Sequence, residues 1–191
     1  MFPKKHIILA SQSPRRKQLL EGMGLDIEVR CHLNVDESYP ENLKNDEVAK
    51  YISEKKFNAY QPELQGNDIL ITADTIVCID NEILGKPADR QQAYLMLKKL
   101  SGAKHYVFTG ITIGNKEKKI MDSDVSEVWF KSLSDKEIYW YIDTCKPFDK
   151  AGSYGVQEWI GYVGIEKIHG SFYNVMGLPT QKVYSILEKF S

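Results

Sequence analysis

The sequence predicts an α/β fold, a mixed and twisted β-sheet with flanking helices. Three observations carry that expectation. Short apolar runs alternate with longer segments whose apolar residues recur at helical spacing. The run 69–79 is apolar apart from Thr72, Asp74, Thr75 and Cys78, the mark of a buried strand. Residues 104–113 and 120–131 read as two long strands joined at Gly114-Asn115, and such a hairpin rules out a purely parallel sheet.

Residues 6–10 read as the first strand and 14–23 as a helix. Ser13 suits the N-cap, Pro14 the first helical position, where its missing N–H would have no partner, and Gly24 the C-cap. Residues 27–30 read as a second strand. Residues 45–60 read as a helix carrying Val48, Ile52 and the Lys55-Lys56 pair. Beyond the 69–79 strand, Asp80-Asn81 turns the chain back through Ile83-Leu84. Residues 89–100 form an amphipathic helix closed by Gly102. After the long hairpin, Ser134-Asp135-Lys136-Glu137 is a capping box opening a helix to about residue 144. Residues 162–168 read as another strand and 179–190 as the closing helix.

At 191 residues the chain reads as one domain, long enough to bury a core without disulfides or metal. Its net charge of −1 argues against nucleic acid as a partner, so basic residues at any phosphate site must be concentrated locally. Cys31, Cys78 and Cys145 are odd in number and widely spaced, which fits a reducing, cytoplasmic setting rather than a disulfide framework. Cys78 reads as core. The apolar run after the basic residues at 1–6 is too short for a signal peptide, and no stretch reaches membrane-spanning length, so no membrane partner is expected.

The segment Leu9-Ala10-Ser11-Gln12-Ser13-Pro14-Arg15-Arg16 runs from strand to helix. It offers free backbone N–H groups, a positive dipole end, two hydroxyls and two guanidiniums, a set that suits a phosphate or polyphosphate. The same string also describes a cap followed by a solvated helix face. Asp74 lies inside an otherwise apolar strand. A buried carboxylate must be compensated by a cation, a metal or hydrogen bonds, and strand-borne carboxylates commonly hold metal or activate water. A strand-end cap is the alternative.

Gly85-Lys86-Pro87 presents a lysine point charge on a stiffened loop, although a solvated loop lysine fits as well. Glu54, Lys55 and Lys56 read as a solvated helix face. Residues 149–157, Asp-Lys-Ala-Gly-Ser-Tyr-Gly-Val-Gln, make a tight loop near a ligand or an ordinary turn with Tyr154 in the core. Gln157 could read a base edge, because an amide both donates and accepts. His105 and His169 have no partner at metal spacing and read as structural. The sequence has no Walker A lysine loop, no Gly-x-Gly-x-x-Gly, and no Ser or Cys nucleophile with a convincing partner.

Taken in order, several strings resemble the Maf family of nucleoside triphosphate pyrophosphatases over nearly the whole chain. They are Ser11-Gln12-Ser13-Pro14-Arg15-Arg16, Val35-Asp36-Glu37, Glu54-Lys55, Ala73-Asp74-Thr75 and Gly85-Lys86-Pro87. Ser101-Gly102 with His105 and Thr109-Gly110, the 149–157 string, and Gly177-Leu178-Pro179 complete the series. The resemblance implies an inosine triphosphatase-like α/β fold with a central cleft, a homodimer, and a divalent cation such as magnesium or manganese. It implies cleavage of a nucleoside triphosphate between the α and β phosphates, and the family name records a link to septum formation.

By the same resemblance Asp74 is the proton acceptor, and Asp74 and Glu37 lie at the metal. Ser11, Arg15, Arg16, Lys55 and Lys86 surround the triphosphate. Arg15, Thr75 and Gln157 bear on base choice and follow the members acting on dTTP and UTP. Members acting on 7-methyl-GTP tend to carry Trp in place of the first Arg and Asp-Gln in place of Asp-Thr. One departure stands out: Glu158-Trp159-Ile160 follows Gln157 where Gly is usual, and Trp159 is expected to reshape the base end of the pocket. The competing readings are a member with another base preference, such as modified pyrimidine triphosphates or 7-methyl-GTP, and, of a different class, a nucleotide-sensing, division-associated binding protein. The set Asp74, Glu37, Lys55 and Lys86 favours an enzyme, since a pure binder needs no water-activating carboxylate.

Overall fold

The computed structural model describes residues 5–190, so Lys4 of the basic N-terminal stretch lies outside the described residues. Strand β1 (His6–Leu9) leads into helix α1 (Pro14–Gly22), with Pro14 in the first turn. Ser13 holds the N-cap position with an extended backbone, but its hydroxyl makes no cap bond. Ser11 takes that role differently, its Oγ accepting the Ser13 N–H at 3.2 Å. β2 (Ile27–Val29) runs parallel to β1, with Ile7 opposite Ile27. β3 (Asp68–Ile79) lies parallel on the other side of β1, with Leu9 opposite Ile71.

β4 (Glu82–Leu84) returns antiparallel on β3 through Asp80 and Asn81, whose φ angles of 51° and 62° suit a tight hairpin turn. β5 (Lys104–Gly114), β6 (Lys119–Phe130) and β7 (Ile165–His169) complete a seven-stranded mixed sheet of order β2-β1-β3-β5-β6-β7, with β4 beside β3. The mixed sheet with its helices is the fold class expected from the sequence.

The chain divides into two compact units. The first runs through Thr75 and includes Thr109–Asp124 and the segment from Gly177 onward. Helix α2 (Asp46–Tyr60) buries Val48, Ala49, Ile52, Ser53, Phe57 and Tyr60 there. Phe57 and Tyr60 join Ile8, Leu64 and Leu70 in one apolar cluster. At Gly110 of β5 a Cβ would stand 2.3 Å from the carbonyl carbon of Ala49, so glycine lets the α2 backbone rest directly on the strand.

The second unit comprises Ile76–Phe108 and Val125–Met176. Helices α3 (Arg90–Leu100) and α4 (Asp135–Cys145) supply Leu97, Leu100, Ile138, Tyr141 and Ile142 to its core. Asp89 caps α3 by accepting the Gln92 N–H at 2.8 Å, and the Ser134–Glu137 capping box forms as expected.

The strand expected over 162–168 is corrected. Residues Trp159–Gly164 form helix α5, and β7 begins only at Ile165. Tyr162 and Val163 favour a strand by type, yet the Glu158 carbonyl accepts the N–H of Gly161 at 2.9 Å and of Tyr162 at 3.4 Å. Gly161 permits this tight start, because a Cβ there would lie 1.8 Å from the Val156 carbonyl oxygen. A short helix α6 (Phe172–Met176) precedes α7 (Thr180–Leu187), which ends in a 3₁₀ turn over Glu188–Phe190. Among the described residues no helix is long and apolar enough to cross a membrane.

Candidate active site

In the first unit, the two-residue period of β3 divides its polar residues between two faces. Thr72 Oγ1 donates to the Ser53 carbonyl of α2 at 2.8 Å, which fixes Thr72 and Asp74 toward that helix. One turn along α2, Lys56 Nζ stands 2.7 Å from Asp74 Oδ1 and 2.7 Å from Glu37 Oε1. The Lys56 and Asp74 side chains are only 14% and 13% exposed. Two carboxylates therefore converge on one ammonium: the Asp74 pair is dry enough to strengthen the attraction, whereas Glu37 approaches from the exposed side.

Lys55, the lysine expected at the phosphates, pairs with the segment around Asp36. Its Nζ donates to Asp36 Oδ2 at 2.8 Å and to the Ser38 carbonyl at 3.1 Å. The Lys55 ammonium, together with the Ser38 hydroxyl and N–H, holds the Asp36 carboxyl well below the usual carboxylate range. The sequence places Lys56 on a solvated face, and the structure half-buries it instead. Lys56 lies four residues after Ile52 and four before Tyr60, so it sits within the buried stripe of α2. A lysine there must find anions, and that spacing was the available signal.

Arg16 also departs from expectation. Only 9% exposed, it donates from Nε to the Gly177 carbonyl at 2.8 Å and from Nη1 to the Ala73 carbonyl at 2.9 Å. Further bonds reach Ser11 Oγ at 3.2 Å and Thr75 Oγ1 at 3.1 Å. Burial holds its pKa below the ordinary arginine value, opposed by the charge of Asp74. Most of its N–H groups are thus engaged within the protein, and it acts as a bracket across β3, the Gly177 turn and the start of α1. Thr75 completes the bracket with a 2.9 Å bond between its Oγ1 and that of Thr109. Arg15, its neighbour on α1, is half-buried.

The second unit carries Lys86 and Gln157. The Gly152 N–H donates to the Gly85 carbonyl at 3.1 Å, tying the 149–157 loop to the residue before Lys86. Gly152 has φ of 66°, and a Cβ there would meet Val77 at 3.0 Å, so the loop needs glycine at that point. The Oε1 of Gln157 is buried and has no hydrogen-bond partner among the described residues. The Trp159 ring packs tilted at 51° against Trp140 of α4, with centroids 4.6 Å apart. His105 is wholly buried with Nε2 2.8 Å from the Tyr154 hydroxyl, the structural setting expected of it.

A family model described as Maf-like protein matches residues 6–190. The chain belongs to the Maf family. Relatives from two bacteria are similar along almost their full length. A dTTP/UTP pyrophosphatase of Parabacteroides distasonis is 51% identical over 98% of this chain and 97% of its own. One of Bacteroides thetaiotaomicron is 52% identical over 97% of this chain and 96% of its own. Among solved structures, a Ham1 protein of Staphylococcus aureus superposes with a TM-score of 0.53 at 13% identity, covering 98% of this chain and 100% of that one. That likeness concerns the fold, and it agrees with the one expected.

Within this Maf protein the expected site residues divide between the units. Ser11, Arg15, Arg16, Glu37, Lys55, Asp74 and Thr75 belong to the first, Lys86 and Gln157 to the second. The donor chemistry at Asp74 fits the divalent cation that the family implies. Asp74 and Glu37 present hard carboxylate oxygens to a shared cationic partner, the ligand type that magnesium and manganese take. Among the described residues no group of three or more His, Cys, Asp and Glu side chains is arranged to hold a metal ion by itself. A cation held by two carboxylates leaves positions for substrate phosphate oxygens and water, as magnesium sites on nucleotides commonly do.

Proposed function

We propose that this chain hydrolyses dTTP and UTP between the α and β phosphates, giving the nucleoside monophosphate and pyrophosphate. The observation that carries the proposal is the convergence of Asp74 and Glu37 on Lys56, in a chain about half identical to two dTTP/UTP pyrophosphatases. A divalent cation held by Asp74 and Glu37 would neutralise phosphate charge and polarise the scissile linkage.

The chain's own residues perform the rest. Arg15, Lys86 and the Ser11 hydroxyl bind the triphosphate. Lys56 orients Asp74 and offsets the negative charge that Glu37 and Asp74 would otherwise present to an anionic substrate. Asp74 accepts a proton from the attacking water as its oxygen bonds to the α-phosphorus. The bond from that phosphorus to the bridging oxygen breaks, and pyrophosphate leaves with the bridging oxygen. Arg16 holds β3 so that Asp74 and Thr75 keep their places. Gln157 and Thr75, with Arg15, select the base.

We read the enzyme as cytoplasmic and as a homodimer. Sedimentation should then give twice the 21.9 kDa chain mass. The deciding assay offers canonical triphosphates and 7-methyl-GTP with magnesium or manganese and separates pyrophosphate from orthophosphate. Pyrophosphate from dTTP and UTP is expected. Orthophosphate alone, or a preference for 7-methyl-GTP, would overturn the assignment.

A further inference from the structure

We propose that Glu158 is a positioning residue for base selection, acting through the loop that carries Gln157. This rests on Gln157 reading the base. Glu158 directly follows that glutamine. Its carboxylate is bonded at both oxygens. Oε1 lies 3.0 Å from the Nζ of Lys150, a lysine only 8% exposed at the start of the loop. Oε2 accepts the Tyr141 hydroxyl of α4. The Tyr141 oxygen in turn accepts the Gly155 N–H at 3.1 Å, and the Gly155 carbonyl accepts the Glu158 N–H at 3.0 Å.

One carboxylate thus joins the beginning, the middle and the end of the loop and anchors it to a helix. A glycine in its place would leave Tyr141 without its acceptor and the buried Lys150 with only Asp149, 2.6 Å away and largely exposed. A buried hydroxyl stripped of its acceptor is costly. The loop would then give up its single conformation.

What this rigidity serves is shown by Gln157, the residue just before the clamp. Its Oε1 is a buried acceptor without a donor among the described residues. Thymine and uracil carry an N3–H donor between two carbonyls, whereas cytosine carries an acceptor at N3. A fixed amide oxygen therefore accepts the first two and faces a lone pair on the third. A mobile amide turns its NH₂ toward cytosine at little cost, so discrimination depends on the clamp. Selectivity built on a held hydrogen bond is the kind that binding can supply strongly.

The test compares wild type with Glu158→Ala and Glu158→Gln on dTTP and dCTP. For Glu158→Ala, KM for dTTP should rise and the preference for dTTP over dCTP should fall about tenfold, the worth of one fixed hydrogen bond, with kcat little changed. Glu158→Gln keeps an acceptor for Tyr141 and should retain part of the preference. An equal loss on both nucleotides, or an unchanged preference, would overturn the proposal. A wild type inactive on dTTP and UTP would instead defeat the functional reading. In that case amide exchange decides the clamp: faster exchange at Gly155 in Glu158→Ala, with α4 still protected, supports it, and unchanged exchange overturns it.

Discussion

Lys56 reaches Asp74 at 2.7 Å from the helix face that Lys55, one residue earlier, does not share. Successive residues on an α-helix point about 100° apart, so one lysine enters the site and the other turns to Asp36. The two should separate sharply in kinetics. Lys56→Ala removes a preorganised positive charge and should lower kcat/KM by about 10²–10³. Lys55→Ala breaks an exposed pair and should cost no more than about threefold. Steady-state dTTP hydrolysis on the two variants checks this, and equal losses would mean that the pairing with Asp74 is not what matters.

Asp74→Asn retains the shape of the side chain and an oxygen for Lys56, but not the base. Turnover should fall by at least about 10²–10³, while circular dichroism and the melting temperature stay close to wild type. Pyrophosphate release at the wild-type rate would remove Asp74 from the chemistry.

How far the site could be read from the sequence depends on the kind of signal each residue leaves. Asp74 is legible because a carboxylate interrupts an apolar strand. The strand-to-helix turn is legible because Pro14 and the serines have local chemistry. Lys56 is hidden by its neighbour: two adjacent lysines look alike until the helix phase is set by Ile52 and Tyr60. Arg16 reads as a phosphate ligand because the carbonyls of Ala73 and Gly177, which it serves, are distant in sequence and carry no side-chain signature. Helix α5 is missed for a related reason. Tyr162 and Val163 have strand-like side chains, and the backbone bonds to the Glu158 carbonyl that bend them into a helix depend on what surrounds that turn.

Arg16 gives the third prediction. Its removal takes the Arg16 donor from the buried Ala73 carbonyl and leaves the Gly177 carbonyl with only Thr75 Oγ1 at 3.5 Å, and a buried group left unsatisfied costs about 1–3 kcal/mol. Arg16→Ala should therefore lose about 2–5 kcal/mol in urea unfolding. Arg16→Lys should recover little, since one ammonium cannot reproduce the fork that spans three segments. A variant that unfolds like wild type but fails to bind nucleotide would return Arg16 to the phosphate role.

The fourth prediction concerns pH and lies away from the site. His105 is buried against Phe130 and Tyr154, and its Nδ1 has no hydrogen-bond partner among the described residues. Burial pushes its pKa down to about 3 from an ordinary 6.5. Above the unfolded value the imidazole is neutral in both states, and its contribution to stability is fully present. As pH falls from 6.5 toward 3 the unfolded chain takes up a proton that the folded chain refuses. Stability is then lost at a limiting slope of about 1.4 kcal/mol per pH unit. His105→Gln keeps a group able to bond the Tyr154 hydroxyl but cannot titrate. Urea unfolding at several pH values between 7.5 and 4.5 should show the wild type losing stability faster than this variant, the carboxylates common to both cancelling in the difference. Parallel curves would mean that the imidazole is protonated within the fold.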